Sequence, residues 1–394
     1  MRSEMNIWNI PTGKLEEFGA LKTATEIYGQ PGLWRKVYDK VIAEKPMIRS
    51  FLGKAEKQGC ARIILTGAGS SAFIGISLQG AFLRNLKHIT SAIATTDLVT
   101  HPCDFLEKET PVLLISFARS GNSPESVAAA KVVDNYCRSV FHLIITCDVS
   151  GALARFETRS EKYVFVLPET ANDQSLAMTG SYSGMLLAGL LIARLNDIEK
   201  FEEQITLLQQ YAGKLLNQYS EDFKKLAEID FQRAVFLGSG PLYGTAIESQ
   251  LKLQELTDGK VICKNDSFLG FRHGPKAVID EKTLIFFLIS NQDYVWQYER
   301  DLMDSMINGH KPLCQIGLIE SGKDTKLDKL FILSDGESRL EEDFLPVISV
   351  LPAQMLGFFK SLQLGLSPDL PSISGAISRV VKGVIIYPFK EQVR

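Results

Sequence analysis

The chain has 394 residues, of which 45% are hydrophobic and 23% charged, with a formal net charge of −3. Without a basic excess, it does not read as a nucleic-acid binder, and an aromatic share of 9% excludes a disordered chain. At about 150 residues per domain the length suggests two or three domains, each able to bury a core without staples.

The N-terminal stretch has no apolar signal core. No later run approaches the ~20 apolar residues of a membrane span, so a cytoplasmic protein is expected. Residues 1–48 read as a helical arm at the periphery. A strand-like run at 62–66 then ends in Gly67-Ala68-Gly69-Ser70-Ser71, and an apolar helix pattern follows over 72–83. Further apolar runs lie at 112–117, 142–146 and 163–167, separated by helical stretches near 124–136 and 176–195. Strands of continuous apolarity interleaved with helices indicate a parallel sheet covered on both faces. This gives a first domain over 49–196.

Residues 197–229 are polar and helix-favouring, and read as a connector. The pattern then restarts. Residues 233–237 run into Gly238-Ser239-Gly240 and a long helix over 243–256. Apolar runs follow at 283–289, 314–319 and 330–333, with a last helix pattern over 345–363. A second domain over 230–394 is expected, an internal duplication of the first.

Neither Gly-x-Gly turn completes the dinucleotide fingerprint, and neither is a phosphate-binding P-loop, since no Gly-Lys-Ser/Thr follows. What remains is a strand, a tight turn and a helix N-terminus bearing Ser70 and Ser71, which can hold an anion through backbone N–H groups. A simple capping role for Ser70 is the plainer alternative. A second cluster follows the run at 112–117: Ser120, Asn122 and Ser123, with Pro124 as a good first helical residue. Hydroxyls and amides at a strand's carboxyl end suit a phosphomonoester better than a nucleoside triphosphate.

Acid–base candidates lie in the second half. Glu248, Lys252 and Glu255 fall at i, i+4 and i+7 of one helix and share a face. Such spacing usually marks an exposed, salt-bridged face. Against that, His273 follows in the turn Gly270-Phe271-Arg272-His273-Gly274-Pro275, one of only five histidines. A carboxylate base and a histidine proton shuttle are what sugar isomerisation requires. The six cysteines have no CxxC spacing, and no metal site or organic cofactor is implied.

Together these residues resemble the sugar isomerase (SIS) family. Ser120-Gly121-Asn122-Ser123, with Gly69-Ser70-Ser71, resembles its phosphate-binding signature. Residues 246–255 resemble the glutamate–lysine–glutamate helix in the isomerase part of glucosamine-6-phosphate synthase. Phe271-Arg272-His273-Gly274-Pro275 resembles that enzyme's histidine turn, which serves the neighbouring subunit. Residues 117–126, 177–182 and 379–387 are more similar still to double-SIS proteins of the AgaS type.

The resemblance implies an α/β fold of two SIS domains, each a flavodoxin-like three-layer sandwich. It also implies a homodimer or dimer of dimers with shared active sites. The implied activity converts galactosamine 6-phosphate to tagatose 6-phosphate and ammonia. Isomerisation of a neutral hexose 6-phosphate and a non-catalytic phosphosugar sensor are the alternatives. Ser70, Ser71, Ser120, Asn122 and Ser123 would bind phosphate; Glu255, His273, Lys252 and Glu248 would carry the proton chemistry. The synthase has a further serine where this chain has Ala118. Its substrate-touching terminal lysine has Arg379 or Lys382 as a counterpart. The synthase's glutaminase nucleophile is a cysteine directly after the initiator methionine, where this chain has Arg2, so a catabolic direction is expected.

Overall fold

The computed structural model describes residues 6–306, 309–337, 339–381 and 383–389. A hairpin of β1 (Asn6–Ile7) and β2 (Ile10–Pro11) opens the described chain. The first sheet is built from β3 (Arg62–Thr66), β4 (Ile89–Ala92), β5 (Val112–Ala118), β6 (Val140–Thr146) and β7 (Glu161–Val166). Every pair is parallel, in the order β4-β3-β5-β6-β7. The second sheet uses β8 (Arg233–Leu237), β9 (Ile262–Asp266), β10 (Thr283–Leu288), β11 (Cys314–Ile319) and β12 (Lys329–Ile332). It too is parallel throughout, in the order β12-β11-β10-β8-β9. Numbered within each sheet, both read 2-1-3-4-5, the flavodoxin-like order. The central strands β5, β6 and β10 are buried along their whole length, which is why they read as unbroken apolar runs.

Two compact units hold these sheets, and neither is continuous in sequence. Of the described residues, those within 36–172 and 184–199 and those from 377 belong with the first sheet; those up to 35 and within 173–183 and 200–376 belong with the second. The expected boundaries of 1–48 and 230–394 therefore differ at both ends. Trp8 and Trp34, in the stretch expected as a peripheral arm, are core residues. The Trp8 ring lies 5.0 and 5.2 Å from those of Phe358 and Phe359. Trp34 is fully buried and donates its indole N–H to the Ser183 hydroxyl at 2.9 Å. Apolar stretches are consumed inside the fold: Glu342–Gln363, the one candidate span among the described residues, is 94% buried.

Candidate functional site

In the first sheet, the order reverses between β3 and β5, where ligands of such sheets bind. Their carboxyl ends emerge side by side, with Thr66 paired to Ser116. β3 turns at once into the helix Ser70–Leu86. A Cβ on Gly67 would lie 2.5 Å from the Ser71 carbonyl carbon, so the turn requires glycine there. Gly69 takes φ +55° and ψ −131°, again a conformation that glycine supplies. Gly69, not Ser70, is the N-cap; Ser70 and Ser71 are buried in the first helical turn. Thr95 braces the turn, donating its N–H (2.9 Å) and hydroxyl (3.2 Å) to the Gly67 carbonyl.

β5 runs into the second hydroxyl loop. Ser123 is the N-cap and, as the sequence predicts, Pro124 is the first residue of the helix Pro124–Tyr136. The Ser123 hydroxyl makes no capping bond. Ser120 Oγ accepts the Asn122 N–H at 3.2 Å, and Asn122 Oδ1 accepts the Ala152 N–H at 3.0 Å. Asn122 thus ties its loop to the turn after β6. Two helix N-termini therefore meet this sheet edge with Ser70, Ser71, Ser120 and Ser123, a setting that favours a bound anion.

Arg119, which the sequence reading passed over, supplies a cation beside this loop. It directly precedes Ser120 and is 6% exposed. Its signal was an arginine at the end of an otherwise apolar strand. Its guanidinium donates to the Arg379 carbonyl at 2.5 Å, and the Arg379 guanidinium donates to Asn172 Oδ1 at 2.8 Å. The Ser150 hydroxyl, then the charges of Arg155 and Arg379, hold the Asp148 carboxyl below its ordinary value. Lys382 lies outside the described residues.

The second unit repeats the turn. Gly240 has φ +56° and ψ −127°, and a Cβ on Gly238 would lie 2.5 Å from the Leu242 carbonyl oxygen. The helix Pro241–Leu256 follows and carries the acid–base trio. Its shared face is not a solvated one. Glu248 is fully buried, the Lys252 side chain is 1% exposed, and Glu255 keeps 22%. Lys252 Nζ lies 2.6 Å from Glu255 Oε2 and 3.3 Å from Glu248 Oε1. Gly357 lets the helix Leu351–Gln363 close over this one: a Cβ there would stand 2.7 Å from Leu256 Cδ1. An ion triad costs desolvation energy when buried, so its presence under a packed helix favours chemistry over surface solvation. His273 is exposed in the turn after the helix Phe268–Phe271. Among the described residues, no hydrogen bond or ion pair joins its ring to the trio.

The loop after β10 holds the place in the second sheet that residues 119–123 hold in the first. Here the loop is closed by carboxylates. Glu299 Oε2 accepts the Ser290 N–H at 2.9 Å, and Glu342 Oε1 accepts the Ser290 hydroxyl at 2.5 Å. Glu320 Oε2 accepts from the Asn291 amide at 2.7 Å. Burial, assisted by the Glu342 charge, pushes the Glu299 carboxyl up to about 8. An incoming phosphate would meet three acids there, so the two sheet ends have diverged in chemistry.

The SIS domain model matches residues 58–194, the stretch that contains both hydroxyl loops of the first sheet. A Shewanella protein named D-galactosamine-6-phosphate deaminase AgaS is 38% identical over 380 residues, covering 95% of this chain and 94% of its own. The chain belongs to the AgaS family of SIS-domain proteins. Solved structures of similar chains agree with the AgaS assignment. A Clostridium novyi protein superposes with a TM-score of 0.93 at 39% identity, covering 98% of this chain and all of its own. Tagatose-6-phosphate ketose/aldose isomerase from Escherichia coli gives 0.83 at 33% identity, covering 94% and 97%. The two-sheet α/β plan of SIS domains expected from the sequence is thus the fold of this AgaS-family chain.

Proposed function

We propose that this enzyme is a galactosamine-6-phosphate deaminase that yields tagatose 6-phosphate and ammonia. The observation that carries the reading is the buried trio on the helix Pro241–Leu256, in which Glu255 is the carboxylate that keeps solvent access. Ser70, Ser71, Ser120 and Ser123 hold the phosphate, with Asn122 fixing the loop and Arg379 adding positive charge. His273 moves a proton from O1 to O5 and so opens the ring. Glu255 takes the proton from C2 and returns it at C1, which leaves an imine at C2. Water adds to that carbon, ammonia departs, and a ketose 6-phosphate remains. Lys252 stabilises negative charge developing on oxygen, and Glu248 orients Lys252. The protein is a cytoplasmic homodimer in which His273 serves the partner's substrate. Exposure of His273 in its turn fits that arrangement.

Ammonia release from galactosamine 6-phosphate tests the reading, with glucosamine 6-phosphate beside it. Ammonia from the galacto substrate, lost in Glu255→Gln, is the expected result. No ammonia from either amino sugar, with ketose formed from a neutral hexose 6-phosphate, would replace the deaminase by a plain isomerase. A positioned base contributes about 10²–10⁴-fold, so Glu255→Gln should fall by that factor. Full activity in that variant would remove Glu255 from the role.

A further inference from the structure

Residues 377–381 and 383–389 belong with the first-sheet unit and are held at two places. At one, the Arg119 guanidinium grips the Arg379 backbone carbonyl at 2.5 Å. At the other, the Phe389 ring meets Tyr136 edge-on, with centroids 6.1 Å apart. Tyr136 ends the helix Pro124–Tyr136, and the hydroxyl loop begins that same helix. The terminal segment therefore follows one helix from its ligand-facing end to its far end.

Between these anchors the charge arithmetic is specific. The loop itself offers hydroxyls and backbone N–H groups, all neutral. A phosphomonoester at neutral pH carries close to two negative charges, and charge-assisted bonds to guanidinium are about twice as strong as neutral ones. Arg119 gives one guanidinium donor to a backbone carbonyl of the terminal segment. Arg379 is thereby oriented, with one contact to Asn172 Oδ1 at 2.8 Å. Its charge is felt at Asp148, in the turn that meets the hydroxyl loop through the Ala152–Asn122 bond.

We infer that Arg119 is a positioning residue, a clasp on the Arg379 carbonyl that holds the Arg379 guanidinium at the phosphate loop. This rests on the sugar-phosphate reading of that loop. Because the clasp grips backbone, replacing the Arg379 side chain leaves the clasp itself in place. Because it works through Arg379, losing both arginines should cost no more than losing either.

The test compares Arg119→Met, Arg379→Met, the double variant and Arg119→Lys in the full chain. Each is read by KM and kcat on galactosamine 6-phosphate, by titration with inorganic phosphate, and by circular dichroism for fold. Each single Met variant should raise KM and weaken phosphate binding about tenfold, the worth of one hydrogen bond to a charged group, with kcat changed less than about twofold. The double variant should match the singles. Arg119→Lys should behave like Arg119→Met, because an ammonium cannot reproduce the planar fork. Additive losses would overturn the clasp and make Arg119 a direct phosphate ligand. Parent values in Arg119→Lys would overturn it too, leaving charge alone as its role. Should Arg119→Met fail to fold, Arg119→Gln is judged by the same criteria. If the parent binds phosphate yet turns over no amino sugar, the deaminase reading fails while the phosphate titrations still decide the clasp.

Discussion

At the scale of single residues, burial decides what each charge can do. Lys252 sits between two carboxylates with 1% of its side chain exposed. Removing it leaves the buried Glu248 carboxylate without its cation, and breaking a buried pair from one side costs about 3–5 kcal/mol. Lys252→Met should therefore lower both activity and the denaturation midpoint, whereas Glu255→Gln should lower activity with little change in the midpoint. Urea unfolding of the two variants checks this; a Lys252→Met protein as stable as the parent would refute the buried-pair account. Glu299 makes a pH prediction. Its carboxyl is raised from an ordinary 4.5 to about 8, first by burial and then by Glu342, against the opposing Lys323 charge and Ser290 N–H. Between those values the folded state binds more protons than the unfolded one. Stability contributed by the neutral acid is present in full below 4.5 and falls as pH rises to 8, by roughly 5 kcal/mol. Glu299→Gln keeps an oxygen for the Ser290 N–H but cannot ionise. Its unfolding free energy should vary less between pH 5 and 9 than the parent's, with the gain greatest at pH 9.

At the scale of elements, the two halves are governed by the same turn. Gly67 and Gly238 each face helix backbone that a Cβ would strike at 2.5 Å. Gly67→Ala and Gly238→Ala should each destabilise the fold by about 1–3 kcal/mol, the range for forced overpacking. Only Gly67→Ala should also weaken phosphate binding, because the second sheet end is closed by Glu299, Glu320 and Glu342. Equal losses of phosphate binding in both variants would contradict that divergence. These turns were legible because glycine spacing after an apolar run reports backbone geometry. Eight of the ten strands in the two five-stranded sheets were legible for the same reason, as apolar runs. The two that were not, β4 and β9, occupy the same edge position in each sheet. Their sequences, Ile-Thr-Ser-Ala and Ile-Cys-Lys-Asn-Asp, are half-exposed and lack an apolar run. The hydroxyls and the Glu–Lys–Glu spacing could be read directly. Burial of that trio, the acids closing the second loop and the Arg119 clasp could not, since each depends on residues distant in sequence.

At the scale of the whole molecule, the proposed dimer gives the proton machinery to two chains. Glu255 lies on a helix packed into its own unit, whereas His273 is exposed in a turn. With His273 serving the partner's substrate, Glu255→Gln and His273→Asn homodimers are both impaired, each for want of one group. In a hybrid of the two, one site has both substitutions and the other has neither. Random exchange of equal amounts makes half of the dimers hybrid, and closed two-fold pairing leaves one intact site in each. About a quarter of parent activity should therefore return on mixing under exchange conditions. A histidine that served its own chain would give hybrids with one defect in each site, and mixing would restore nothing. Size-exclusion chromatography of the parent reads the same proposal independently. A fully active species at the 43.8 kDa of a single chain would refute the shared site, because the histidine would then have no partner to serve.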